Sequence, residues 1–203
     1  MKNPLLSLGL ALALAAAALP AGAEKADRAK PMNVEADALR YDDLRQTSVF
    51  TGKVVVTKGT ILIRGARIDV RQDADGYQYG VVTAEPGKLA FYRQKRDGVD
   101  EYIEGEGEII EYDGKADRVK FIKRAEMRRI RGGALADEIV GSVITYDHST
   151  DVFTVDGGPA SPAMGGRVRA VLMPKPGASA PAASGGPPAN LRPSTTLDGG
   201  RRP

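Results

Sequence analysis

The sequence predicts an all-β fold in which repeated β units stack, so that two facing antiparallel sheets enclose one elongated apolar strip. Three observations predict it. Between Glu24 and Gly157 there are only two prolines, Pro31 and Pro86, and no apolar stripe at helical spacing. Short alternating segments recur there between Gly, Asp and Lys-Gly turns, which is the pattern of strands. The segments also resemble one another, as stacked repeats do.

The chain opens on Lys2 and an uncharged apolar run from Leu5 to Leu19, closed by Pro20 and the small residues Ala21-Gly22-Ala23. A membrane span needs about 20 apolar residues, so this shorter run predicts a cleavable signal peptide over 1–23 rather than an uncleaved anchor. The mature chain is then expected outside the cytoplasm. No Cys follows the run, which excludes lipoprotein attachment.

The body, 24–173, supplies the strands. Lys53-Val54-Val55-Val56-Thr57 runs into a Lys58-Gly59 turn, and Thr60-Ile61-Leu62-Ile63-Arg64 returns from it. Ala66 to Arg71 alternates, as does Val119 to Arg124, where Val119 and Phe121 share a face. Val168, Ala170 and Leu172 are expected on one face, against Arg167 and Arg169. Ala38-Leu39-Arg40-Tyr41-Asp42 has relatives in the segments ending Tyr112-Asp113 and Tyr146-Asp147, with a weaker copy ending at Val70. A polar turn and a strand carrying Phe50, Phe121 or Phe153 follow three of these. Each unit is hairpin-sized and closes no core alone. The ends of such a stack carry unpaired N–H and C=O groups that invite another β edge. From Pro174 onward, seven Pro and five Gly fall within 30 residues, a composition that predicts an unstructured tail over 174–203 rather than a basic-tipped tether.

Composition excludes several functions. With no Cys and one His, the chain offers no disulfide, no thiol nucleophile and no Cys- or two-His-based metal site. Of 29 basic and 26 acidic residues, the body holds 24 and 25. A body that close to neutral is a poor counterion-driven nucleic-acid binder. Gly105-Glu106-Gly107 is not a phosphate loop, since no helix follows it and Glu106 would repel an anion. His148, in a turn between Asp147 and Ser149, is expected to be solvated rather than a general base.

The run Phe50-Thr51-Gly52-Lys53-Val54-Val55-Val56-Thr57-Lys58-Gly59-Thr60-Ile61-Leu62-Ile63 resembles the LptA/OstA-like family of periplasmic lipopolysaccharide-transport proteins. Met32 to Asp37, Ile144-Thr145-Tyr146 and Arg167 to Pro174 are similar to the same family, so the likeness covers roughly 31–174. The tail is longer and richer in Pro than the family pattern, and 97–111 more acidic. The resemblance implies an open β-jelly-roll, a V of two sheets holding acyl chains of lipid A in its apolar cleft. It implies a noncatalytic carrier with no cofactor. It further implies head-to-tail self-association into a bridge between the inner-membrane transporter components and the outer-membrane translocon. A β-solenoid enzyme acting on polysaccharide, and a membrane-anchored relative of the carrier, are the alternatives.

If the cleft exists, Met32, Val34, Val54, Val56, Ile63, Val70, Leu89, Phe91, Tyr112, Phe121 and Phe153 are expected to point into it. The same side chains would equally pack a closed core. The basic set Lys120, Lys123, Arg124, Arg128, Arg129 and Arg131 would meet lipid phosphates or pair with Asp100, Glu101, Glu104, Glu106, Glu108 and Glu111 on adjoining strands; pairing is favoured.

Overall fold

The computed structural model describes residue 27, residues 30–162 and residues 164–174. The expected signal peptide, and all of the expected tail beyond Pro174, lie outside them. Twelve strands are present among the described residues: β1 (Asn33–Glu35), β2 (Ala38–Asp42), β3 (Thr47–Lys58), β4 (Ile61–Gln72), β5 (Gln78–Thr83), β6 (Ala90–Lys95), β7 (Glu101–Gly107), β8 (Ile109–Asp113), β9 (Arg118–Arg131), β10 (Ala134–Asp147), β11 (Val152–Asp156) and β12 (Arg169–Leu172).

Every pairing is antiparallel, and the pairs resolve into two facing sheets of eight strands each. The first runs β2-β3-β4-β5-β8-β9-β10-β11 and the second β1-β3-β4-β6-β7-β9-β10-β12. The long strands β3, β4, β9 and β10 belong to both. Each serves one sheet with one half, bends, and serves the other with the rest. β4 pairs with β6 as far as Arg64 and with β5 from Arg67 onward. β9 pairs with β8 up to Ile122 and with β7 from Glu126. The bends are β-bulges, which add a residue and turn the strand. Register breaks between Thr51 and Val54 in β3 and between Gly141 and Val143 in β10. At the bends Gly52, Lys53, Lys123 and Arg124 have positive φ.

The first sheet's tips are three four-residue turns and one of five, and the sequence repeat is explained there. Asp42, Asp113 and Asp147 each end a strand and accept backbone N–H bonds inside the turn that follows. In the β4–β5 turn Asp73 does the same. A short side chain that bonds the backbone ahead of it is the reason Asp starts turns. Gln46, Asp117 and Asp151 close the three shorter turns at positive φ.

Alternation then sets which side chains face inward. One inward row of the first sheet reads Tyr41, Ser48, Val70, Gly80, Tyr112, Val119, Tyr146, Phe153. Its neighbour reads Leu39, Phe50, Ile68, Val82, Ile110, Phe121, Ile144, Val155. In the second sheet the row is Val34, Val56, Ile63, Tyr92, Gly105, Met127, Ile139, Ala170. Thus Tyr41, Val70, Tyr112 and Tyr146, the repeat positions, share one row, with Phe50 and Phe121 in the next. Phe153 falls two residues out of that repeat, beside Tyr146. With strands about 4.8 Å apart, eight of them make an interior about 34 Å long.

Two expectations are corrected. Phe91 does not face inward: Ala90, Tyr92 and Gln94 do, and Phe91 lies on the outer face with the Arg64 guanidinium over its ring. Leu89 precedes β6 and is half-buried outside the central cluster. Ala170 and Leu172 do share one face, on the inward side of β12, but they are exposed there because the first sheet does not cover that end.

Candidate functional site

The interior between the sheets is the candidate site. Its middle is filled. Val54, Val56, Ile63, Tyr112 and Phe121 are buried in one cluster with Tyr92, Ile103, Ile110, Met127 and Tyr146. The Phe121 ring meets Tyr92 edge-on at 5.8 Å and presses onto Gly105, where a Cβ would coincide with ring carbons. Tyr146 stacks on Phe153 at 4.3 Å. Burial, more than the nearby phenols and carboxylates, drives the Tyr92 phenol well above its usual pKa, and its hydroxyl donates to Gln94.

The ends differ from the middle. Met32, Val34, Phe50, Val70 and Phe153 pack on the cluster but are only partly buried. At the β1–β2 end Met32, Val34, Tyr41, Phe50 and Val70 line an open cavity of ≈ 180 Å³ whose rim is Gln46, Gln72 and Gln78. Leu39 and Tyr41 finish the two inward rows there at 59% and 56% exposure. At the β11–β12 end Leu172 is 68% exposed on its inward face. A closed core would cover these side chains. Both ends of the strip are unsealed.

Opposite the bends lies the mouth, where the tips of the two sheets meet through polar side chains. Lys58 Nζ of the second sheet donates to Gln78 Oε1 of the first at 3.1 Å. Asp27 accepts from Thr60 N at 2.8 Å and Thr60 Oγ1 at 2.6 Å, and so ties the residues before β1 to the β3–β4 turn. Arg96, in the β6–β7 turn, bonds Asp151, in the β10–β11 turn; Nε to Oδ1 is 3.1 Å. Its other partner is Glu101, which also binds Arg131. Burial works to raise the Glu101 pKa, but hydrogen bonds and charge from Arg131 and Arg96 outweigh it and hold the carboxyl below its ordinary range. His148 is not solvated, contrary to expectation: its side chain is 8% exposed, edge-on to Tyr146, with Nε2 3.6 Å from Asp97. No sequence signal marks Arg96, Asp151 or His148 as mutual neighbours, because they meet only through the facing of two turns 55 residues apart.

Five of the six residues of the basic set are paired. Arg128 binds Glu106 and Glu126, Arg131 binds Glu101, and Arg129 binds Asp137, while Lys120 and Arg124 lie 3.9 Å from Glu111 and Glu108. Gly105-Glu106-Gly107 is a strand segment whose first glycine makes room for Phe121. A further depression of ≈ 650 Å³ lies on the outer face of the first sheet, around Val49, Arg71, Tyr79 and Val81. Its lining also includes Ser48, Val70, Gly80 and Tyr112 of the inward row.

Residues 33–152 match the model of the family described as LptA/(LptD N-terminal domain) LPS transport protein. The chain is 34% identical over 141 residues to the lipopolysaccharide export system protein LptH of Pseudomonas aeruginosa, covering 70% of this chain and 72% of that one. It is 29% identical over 140 residues to the lipopolysaccharide export system protein LptA of Escherichia coli K12, covering 68% and 75%. The crystal structure of the Pseudomonas LptH, described as the LptA homologous periplasmic component of the lipopolysaccharide transport device, superposes with a TM-score of 0.62. That comparison covers 73% of this chain and 99% of that one at 26% identity. An all-β chain of two facing sheets, matched by this model over most of its described length, belongs to the LptA/LptD N-terminal domain family of lipopolysaccharide-transport proteins.

Proposed function

We propose that this chain is the periplasmic carrier of a lipopolysaccharide export system. It shelters lipid A acyl chains between its sheets and associates head to tail, bridging inner-membrane transporter components and an outer-membrane translocon. On this reading 1–23 is a signal peptide removed on export, 24–173 the lipid-binding domain and 174–203 a tail. The reading requires no cofactor and no catalysis.

One observation carries it: the inward apolar rows end at both edges on uncovered side chains, Leu39 and Tyr41 at one end and Ala170 at the other. A second copy placed edge to edge would continue the strip, because among the described residues β1, β2, β11 and β12 each have one unpaired edge. Continuity matters energetically. Exposing an acyl chain costs about 0.8 kcal/mol per CH₂, hence on the order of 10 kcal/mol for a dozen carbons. The relatives' roles in lipopolysaccharide export support the choice of cargo. The glycan-cleaving alternative lacks support: the buried carboxylates Asp27, Glu101 and Asp137 are engaged by Thr60, by Arg96 and Arg131, and by Arg129.

Photo-crosslinkers at Met32 and Tyr112 test it. Both should capture lipopolysaccharide, and one at Phe91, on the outer face, should not. Equal capture at all three positions, or at none, overturns the interior as the lipid site.

A further inference from the structure

The mouth is not uniform along its length. Toward β1 and β2 it opens into the ≈ 180 Å³ cavity above Met32 and Phe50. Toward β11 it is shut by Arg96 on Asp151 and Asp97 beside His148, each pair joining a turn of one sheet to a turn of the other. Behind this closure, the space between Tyr92, Tyr112, Val119, Tyr146 and His148 has no room for a water molecule. An acyl chain has no place there until the lips part.

We infer that the Arg96–Asp151 and Asp97–His148 contacts form a latch across the mouth, closed in this structure and released as lipid advances from the β1–β2 end. The inference rests on the carrier reading for what passes, but the latch itself is defined by this protein's own contacts. Its chemistry suits repeated opening. When Asp151 lets go, Arg96 keeps Glu101 on its own hairpin, and Asp151 keeps the Tyr146 hydroxyl at 2.9 Å. Asp97 is 38% exposed and Asp151 43%, so water takes the vacated positions. Of Arg96 and the two carboxylates, none is left buried and unpartnered by opening, which is the step that makes breaking ion pairs expensive. A seam of apolar side chains would instead expose dry surface each time it opened.

The chain has no Cys, so one introduced thiol reports on the latch alone. Val119, 2% exposed and directly behind the closure, is the reporter position. In a Val119→Cys background, Arg96→Ala should raise the rate of thiol modification at least tenfold. Arg128→Ala, which breaks ion pairs on the outer face of the second sheet, should leave that rate unchanged. An unchanged rate in the Arg96→Ala protein overturns the latch, whatever lipopolysaccharide does. An equal rise in the Arg128→Ala protein overturns it too, because the reporter would then be reading general loosening. A specific rise with no protection by added lipopolysaccharide supports the latch and overturns the carrier function instead.

Discussion

The ring of Phe121, carried by the first sheet, rests on Gly105 of the second, so the two layers touch there ring against backbone. No side chain larger than hydrogen fits beneath it. Gly105→Ala should therefore lower stability by about 1–3 kcal/mol, the usual cost of overpacking a filled core. Urea unfolding checks this, and Phe121→Leu in the same chain should recover part of the loss, since the two sites touch. Gly80→Ala provides the contrast: its nearest neighbour is Tyr112 Cβ at 4.0 Å, so it should be tolerated.

The hairpin turns make a second prediction. Asp147 accepts bonds from Ser149 N, the Ser149 hydroxyl and Thr150 N, and one from Arg118. Asp147→Ala strips the turn of all four acceptor contacts and should cost on the order of 1 kcal/mol, read as a lower urea midpoint.

Acid should weaken the fold through these same carboxylates. The Ser149 hydroxyl and Arg118 hold Asp147 well below the usual carboxylate range, against the opposing effect of burial, and Glu101 is held below its ordinary 4.5. A carboxyl with a depressed folded-state pKa stabilises the fold above its unfolded value, and that contribution is lost as pH falls through the folded value. The urea midpoint should thus begin to fall below about pH 5 and keep falling below about pH 3, and Glu101→Gln should flatten the upper part of that slope.

Self-association should depend on the exposed ends of the inward rows. Leu39→Asp touches a side chain 59% exposed in the single chain, so stability should stay within about 0.5 kcal/mol. Concentration-dependent oligomers in sedimentation should nonetheless disappear. Oligomers of undiminished size would show that the β2 end takes no part.

Much of this architecture is legible in the sequence, because alternation and turn chemistry are local. The Tyr-Asp segments predict the repeat, and Tyr41, Val70, Tyr112 and Tyr146 do share one inward row. Phe91 is misplaced by the same logic: in Ala90-Phe91-Tyr92 two aromatics are adjacent, and only the strand's pairing decides which faces in. The bends are illegible for another reason. Lys53, Lys123 and Arg124 adopt positive φ, and a basic residue carries no local preference for it. The mouth contacts join residues far apart in the chain, so neither spacing nor composition marks them.

The four strands shared by both sheets have a mechanical consequence. The layers are bound along one side like the pages of a book, with the bulges at Gly52-Lys53, Lys123-Arg124 and Gly141 as the binding. Turning a page leaves the ladders of β2, β5, β8 and β11 and of β1, β6, β7 and β12 within their own pages, and the β3–β4 and β9–β10 ladders that cross the binding break register there. The volume can swell around a guest and shrink after its departure while every strand keeps its neighbours.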